Sequence, residues 1–536
     1  MKSNNKLKLI FFCILLTTVI SCCGFSTFRG ETGTGNANVV TIKTPSDKSK
    51  TRLKWSRCFK KTGTTSANSI PVLTKDSIYL VNTNILYELD YNGNIKRQTT
   101  LCAKMNSISN MLLEGNYLFI PLSGGIMQCI NIQSMSAVWQ SEAFGGQSLS
   151  TVFYHEGYLY AGSTTVTNGG TSGTFYCLNS ADGSTVWTYE DAEHKGGYYW
   201  SGGIVYKDTL YFAGDNGYLV SHSLLTPEVY DTCPLTDTAK IRAGITFDEE
   251  TDALYTVSND GILYQITTEG RQIQQVKKTP IAENARNMNC TSTPTICQGH
   301  IYVGGIADNT GIVSIMDAGQ MKVIRTIRGA GHAEIKSSPL LSTGGNTDGT
   351  VSVYVTANSL PGGIYYFTDN KKTTADTLQT LFEPDSAKQF CMSSVTAGSD
   401  GTLYYSNDSG TFFAIHETTQ TTNEANNDGQ KTTLVPPSGK RQEAKTNRLV
   451  KKPSKITIRK RKRLVTIKWK KLSAKYQTIV YRKYGSGKWK KKVLKKKKTI
   501  TWKKKKGKTL HFRLRTRLKV DGRWRYSGYT KIFHLK

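Results

Sequence analysis

Between residues 53 and 416 short apolar runs alternate with turn-forming residues, and the runs keep a regular beat. An aliphatic-aromatic pair recurs at Ile78-Tyr79, Leu118-Phe119, Leu159-Tyr160, Leu210-Tyr211, Leu254-Tyr255, Ile301-Tyr302, Val353-Tyr354 and Leu403-Tyr404, with spacings of 40 to 52 residues. Turn formers such as Glu114-Gly115, Lys207-Asp208 and Asp400-Gly401 precede most pairs and mark a strand start. A second apolar run follows each pair. It opens at Gly125, Gly173, Gly217, Gly261, Gly311, Gly363 and Gly410, with Asn84 in that place in the first repeat. Glycine and asparagine tolerate positive φ, so all eight positions are expected to make one backbone demand and to close a β-hairpin. In the third repeat the chain continues through the turn Asp182-Gly183 to a strand carrying Trp187, and the second repeat ends similarly at Val138-Trp139. Eight strand-only units of this length predict an all-β fold, an eight-bladed β-propeller of four-stranded sheets.

Leu53-Lys54-Trp55-Ser56 matches a repeat ending with no repeat before it. It is expected to complete the last sheet beside Leu403 and so remove open edges. The stretch 22–52 then reads as a linker, in which residues 25–45 should be dispensable. Residues 417–447 are polar and cannot bury enough surface to fold, which predicts a disordered tether. Period-2 alternation returns from 448 to 536, most strictly where Leu510, Phe512, Leu514, Thr516 and Leu518 interleave with His511, Arg513, Arg515, Arg517 and Lys519. This predicts a small β-sandwich.

The long repeats resemble the quinoprotein-like (PQQ-like) β-propeller repeats. With eight units they are similar to the eight-bladed members, which include the lipoprotein scaffold of outer-membrane β-barrel assembly. The final domain resembles the small fibronectin type III-like domains of Gram-positive surface proteins. Dehydrogenases of the quinoprotein type stack their cofactor under a disulfide of adjacent cysteines beside a calcium ion. The one adjacent pair here, Cys22-Cys23, precedes the repeats. The resemblance therefore implies the fold without the catalysis: no catalytic residue, no metal and no cofactor is expected, and purified protein should bind no pyrroloquinoline quinone. Cys290, Cys297 and His300 have no second pair at a zinc-like spacing. A propeller enzyme acting on surface glycans or alcohols is the alternative, since loops from every blade meet at one mouth.

Lys2, Lys6 and Lys8 followed by the apolar run Leu9 to Ile20 form a signal peptide over 1–21, too short to span a membrane. Val19-Ile20-Ser21-Cys22 resembles a lipobox, which implies lipidation of Cys22 and a place on the extracellular face of the cell membrane. The eight later cysteines could pair in an exported protein, in any of many connectivities. Charge is divided unevenly. The stretch 448–536 holds 36 Lys or Arg and one acid, Asp521, a net +35, whereas the whole chain is +32 and the rest therefore lies near −3. Lys495, Lys496, Lys497, Lys498, Lys503, Lys504, Lys505, Lys506, Arg513, Arg515 and Arg517 are the candidate polyanion contacts. Their partner is expected to be an anionic cell-wall polymer, with no specific nucleic acid, while the propeller takes an unknown protein or glycan.

Overall fold

The computed structural model describes residues 38–418 apart from 60–67, 107–108, 168–169, 345–347 and 371–376, and of the C-terminal part 453, 456–461, 464–470, 476–484, 490–495, 499–503, 509–520, 523–526 and 533–535. The signal segment, Cys22 and nearly all of the stretch 417–447 lie outside the described residues. The chain divides into two compact units, Met1–Asn423 and Glu424–Lys536. Among the described residues every regular element is a strand, and no helix is long and apolar enough to cross a membrane.

Among the described residues the first unit contains eight sheets built on four antiparallel strands, seven of them with four strands and one with a fifth, parallel strand, besides a two-stranded hairpin of Thr165–Thr167 and Gly170–Ser172. The first sheet is Val72–Leu73, Ile78–Asn82, Ile85–Leu89 and Ile95–Thr100, and the following ones begin at Leu112, Phe153, Ile204, Thr246, Thr295, Leu340 and Thr396. Each aliphatic-aromatic pair falls on the second strand of its sheet, which is apolar without alternation because both its faces are covered. On Ile78–Asn82, Ile78 and Leu80 pack with Tyr404 and Phe412 of the eighth sheet, whereas Tyr79 and Val81 pack with Leu118 and Ile120 of the second. Eight apolar clusters join successive sheets in this way, the last joining the eighth sheet to the first. Fourth strands are polar. Ile95–Thr100 is largely exposed.

The aromatic member of the pair locks one sheet to the next. The hydroxyls of Tyr160, Tyr211 and Tyr255 donate to the carbonyls of Leu224 (3.3 Å), Gly270 (2.5 Å) and Ala318 (2.9 Å), each in the following sheet's turn or edge. Tyr302 donates to Asp369 in the seventh sheet at 2.6 Å. The tryptophans do the same from the fourth strand. Trp139 Nε1 donates to Ser180 at 3.1 Å and Trp187 Nε1 to Leu224 at 2.9 Å. A Cβ on Gly183, which has φ +74°, would stand 2.4 Å from the Trp139 ring, so only glycine lets the indole lie on that turn.

Three expectations need correction. The hairpin glycines do not share one backbone demand: Gly125, Gly217, Gly261 and Gly410 have positive φ, but Gly173, Gly311 and Gly363 do not. A Cβ on these three would instead approach a backbone carbonyl to 2.0, 2.4 and 2.1 Å, so close approach and not handedness selects glycine there. In the first repeat Thr83, not Asn84, carries the positive φ. Secondly, residues 38–52 are not merely a linker. Val39–Val40 pairs in parallel with Leu340–Ser342 of the seventh sheet, and Thr44 and the Pro45 carbonyl both bond the buried Tyr354 hydroxyl, at 2.8 and 2.7 Å. Thirdly, all eight described cysteines are free thiols. Thr51–Cys58 does take the edge of the eighth sheet beside Thr411–Glu417, and Trp55 Nε1 crosses to the Tyr91 carbonyl of the first sheet at 2.9 Å.

The second unit has two antiparallel sheets. One orders Thr457–Arg461, Leu464–Lys468 and Thr499–Lys503; the other orders Lys490–Lys495, Tyr476–Tyr484, Leu510–Val520 and Arg523–Tyr526, with Phe533–Leu535 also on the long strand. Val465, Ile467 and Trp502 of the first sheet share a core with Val480, Phe512 and Leu514 of the second.

Candidate functional site

The segments leading into the inner strands converge on one small cavity of about 50 Å³. It is lined by Ile70, Asn110, Leu149, Thr151, Trp200, Thr291, Thr293, Lys336, Ser338, Met392 and Ser394, which come from seven of the eight repeats. The position two residues before the inner strand is often a small polar residue, and around part of the cavity these form a belt. Ser394 Oγ accepts from the Ser338 amide (2.9 Å), Ser338 Oγ from the Thr293 amide (3.1 Å), and Thr293 Oγ1 from the Gly244 amide (2.9 Å). Each hydroxyl thus satisfies the backbone of the preceding repeat.

Of the lining, Asn110 Oδ1 and Trp200 Nε1 are buried without a hydrogen-bond partner, and so are Ser148 Oγ, Ser150 Oγ and Ser201 Oγ, which stand next to lining residues in sequence but do not line the cavity themselves. Trp200 also has φ +63°, an unusual conformation for a bulky side chain and one that clusters at binding sites.

Two ion-pair groups flank Trp200. Arg242 forks onto Asp215 (Nε to Oδ1 2.9 Å, Nη2 to Oδ2 2.7 Å) and lies 4.4 Å over the Tyr199 ring. Glu334 accepts from Asn289 at 2.6 Å and Thr291 at 2.9 Å, so both its oxygens are served. Lys336 stands 3.7 Å from Glu334 and 5.6 Å over the Trp200 ring. The Arg242 charge is closed by its two-point contact, but Lys336, with three donors and one long ionic contact, keeps N–H capacity for something in the cavity. Carboxylates are absent from the lining itself, as are cysteines, and the donor set of hydroxyls, one amide and one ammonium does not fit a quinone with its calcium. Chemically the arrangement suits binding by a flat apolar face with hydrogen-bond donors around it.

Sequence reasoning missed this site. Its residues lie in the connections between repeats, where no periodicity exists. One signal was present: Tyr198-Tyr199-Trp200 stands between the glycine pairs Gly196-Gly197 and Gly202-Gly203.

Of the predicted polyanion contacts, Lys503 is exposed at the end of its strand and Lys495 ends Lys490–Lys495. Lys496, Lys497, Lys498, Lys504, Lys505 and Lys506 lie outside the described residues. Arg513, Arg515 and Arg517 form a row on one strand but are only half exposed. Arg515 Nε donates to the Tyr481 hydroxyl (3.1 Å), Arg517 Nε to Gln477 (2.9 Å), and Arg513 and Arg515 both lie over the Tyr481 ring at 5.8 and 5.4 Å. Exposed Lys468, Lys490, Lys491 and Lys492, absent from that set, extend the cationic surface.

Residues 32–210 match the family described as outer membrane protein assembly factor BamB. No curated protein matches the chain. Among solved structures, the quinohemoprotein alcohol dehydrogenase ADHIIG of Pseudomonas putida HK5 is similar at 10% identity and TM-score 0.54, over 74% of this chain and 82% of that one. The quinohemoprotein alcohol dehydrogenase of Comamonas testosteroni is similar at 11% identity and TM-score 0.52, over 72% and 79%. A europium-containing methanol dehydrogenase follows at 12% and 0.51, over 68% and 86%. At such identities the likeness concerns fold alone. Residues 32–210 are thus similar to BamB-type repeats, and the chain shares its all-β fold with quinoprotein propeller structures.

Proposed function

We propose that this protein is a non-enzymatic cell-surface lipoprotein: an eight-bladed propeller closed by the strand Thr51–Cys58, held through Cys22, with a fibronectin-like cationic β-sandwich that binds an anionic envelope polymer. The observation that carries the polymer reading is the concentration of charge. A net +35 in 89 residues exceeds what solubility needs and costs self-repulsion, which a polyanion partner would relieve. Support for a binding propeller comes from the cavity beside Trp200, whose flanking charges are paired and aromatic-backed. The BamB family name points the same way, toward assembly and scaffolding at an envelope. The test is retention of the full chain on cell walls bearing or stripped of their anionic polymer. Retention only on the bearing walls is expected; equal retention on both contradicts the reading.

A further inference from the structure

The arginines on the second unit's long strand differ from its lysines in being held. Arg513, Arg515 and Arg517 of Leu510–Val520 stand directly across from Tyr481, Ile479 and Gln477 of Tyr476–Tyr484. Strand alternation puts them on the face opposite the core residues Val480, Phe512 and Leu514. Arg515 Nε donates to the Tyr481 hydroxyl, Arg517 Nε donates to Gln477, and the Arg513 and Arg515 guanidiniums both lie over the Tyr481 ring. Ile479, in the middle of that face, is only 3% exposed. Arginine stems suit such an apolar strip, because they can lie on it and keep their charged ends outward. A bond at Nε fixes the plane of a guanidinium, whose fork then takes a phosphate by two bonds at little further cost in side-chain freedom. The exposed Lys490, Lys491 and Lys492 offer charge without that geometry.

The spacing of the row selects among anions. Side chains two residues apart on a strand stand ~6.8 Å apart. Their Cα atoms are separated by as many covalent bonds as successive phosphorus atoms in the chain P–O–C–C–C–O–P, so an extended phosphodiester of a three-carbon polyol keeps nearly the same period. Inorganic polyphosphate, with a single bridging oxygen, steps too short. A nucleic-acid strand shares the backbone period, but its bases need aromatic faces to stack on, and the ring in this row already carries two guanidiniums. We propose that the outer face of Leu510–Val520 binds an extended polyol phosphate with three carbons between phosphates, one phosphate to each of Arg513, Arg515 and Arg517. This rests on the reading of the second unit as a polyanion-binding domain and names the chemistry of its partner.

The test is calorimetric titration of the full chain at about 150 mM salt with poly(glycerol phosphate), polyglutamate, oligothymidylate and inorganic polyphosphate of equal charge number. Poly(glycerol phosphate) should bind at least about tenfold more tightly than each of the others. Arg513→Lys, Arg515→Lys and Arg517→Lys together keep the charge, and should bring poly(glycerol phosphate) down to the affinity of polyglutamate. Should that variant fail to fold, Tyr481→Phe keeps the ring but removes the acceptor of Arg515 Nε, and should reduce the preference about threefold or more. Equal affinity for poly(glycerol phosphate) and polyglutamate, or a preference that survives these substitutions, would overturn the proposal while leaving the charge reading intact. Oligothymidylate bound as tightly as poly(glycerol phosphate) would overturn it in favour of nucleic acid. Failure to bind any of these polymers would overturn both readings.

Discussion

Single contacts between neighbouring sheets carry much of the first unit's specificity, and Gly183 shows how. Its positive φ and the 2.4 Å approach of a would-be Cβ to Trp139 mean that Gly183→Ala strains the turn and displaces the indole, at a cost of about 2–3 kcal/mol. Trp139→Ala removes the same contact together with the bond to Ser180. The two substitutions should therefore be less than additive, with a coupling of about 1 kcal/mol or more in denaturant unfolding. Full additivity would show that the indole and the glycine act independently. Asp369 is the charged counterpart. Burial pushes its carboxyl up, but the bonds from His300 (3.0 Å) and Tyr302 (2.6 Å) and the Arg325 charge outweigh this and hold it below the usual range. A carboxyl depressed in the folded state stabilises fully above its unfolded value of ~3.9 and loses that contribution as pH falls through the folded one. Asp369→Asn should cost about 1–3 kcal/mol at neutral pH and flatten the loss of melting temperature between about pH 5 and pH 3. An unchanged acid slope would remove Asp369 from the account.

At the scale of elements, the repeat was legible because its second strand is buried on both faces, which leaves an apolar run with an aromatic at a fixed place. The inner strands were not legible: Val72–Leu73 and Thr396–Ala397 have two residues each, too few for any period to register. Nor was the reason for tyrosine, since its hydroxyl serves a carbonyl in the next sheet and no single repeat contains both. Trp55 could be placed because it copies a repeat ending. Val39–Val40 could not, because a two-residue parallel strand copies nothing. Its consequence is measurable. A chain beginning at Asn38 should melt as the longer one does, whereas a chain beginning at Ser46 loses the pairing with Leu341 and both partners of the Tyr354 hydroxyl. A buried hydroxyl left unsatisfied costs about 1–3 kcal/mol by itself, so the second truncation should melt clearly lower. Equal melting temperatures would show that residues 38–45 only lie against the fold.

Over the whole molecule, residues 1–447 and 448–536 were separable in the sequence by charge alone, near −3 against +35, and each of the two compact units keeps its own core. The cavity stayed hidden because its lining is assembled from seven separate connections, none with a motif of its own. On the proposed function, the second unit holds an envelope polyanion by charge. Counterion release makes such binding fall linearly in log affinity against log salt, by ~10³–10⁵ between about 50 and 200 mM for six to ten phosphates at the charge density of duplex DNA, and less steeply for a sparser wall polymer. The decisive measurement is the affinity of the full chain for purified anionic wall polymer across that salt range. A steep, linear loss is predicted; binding that is indifferent to salt would contradict the claim.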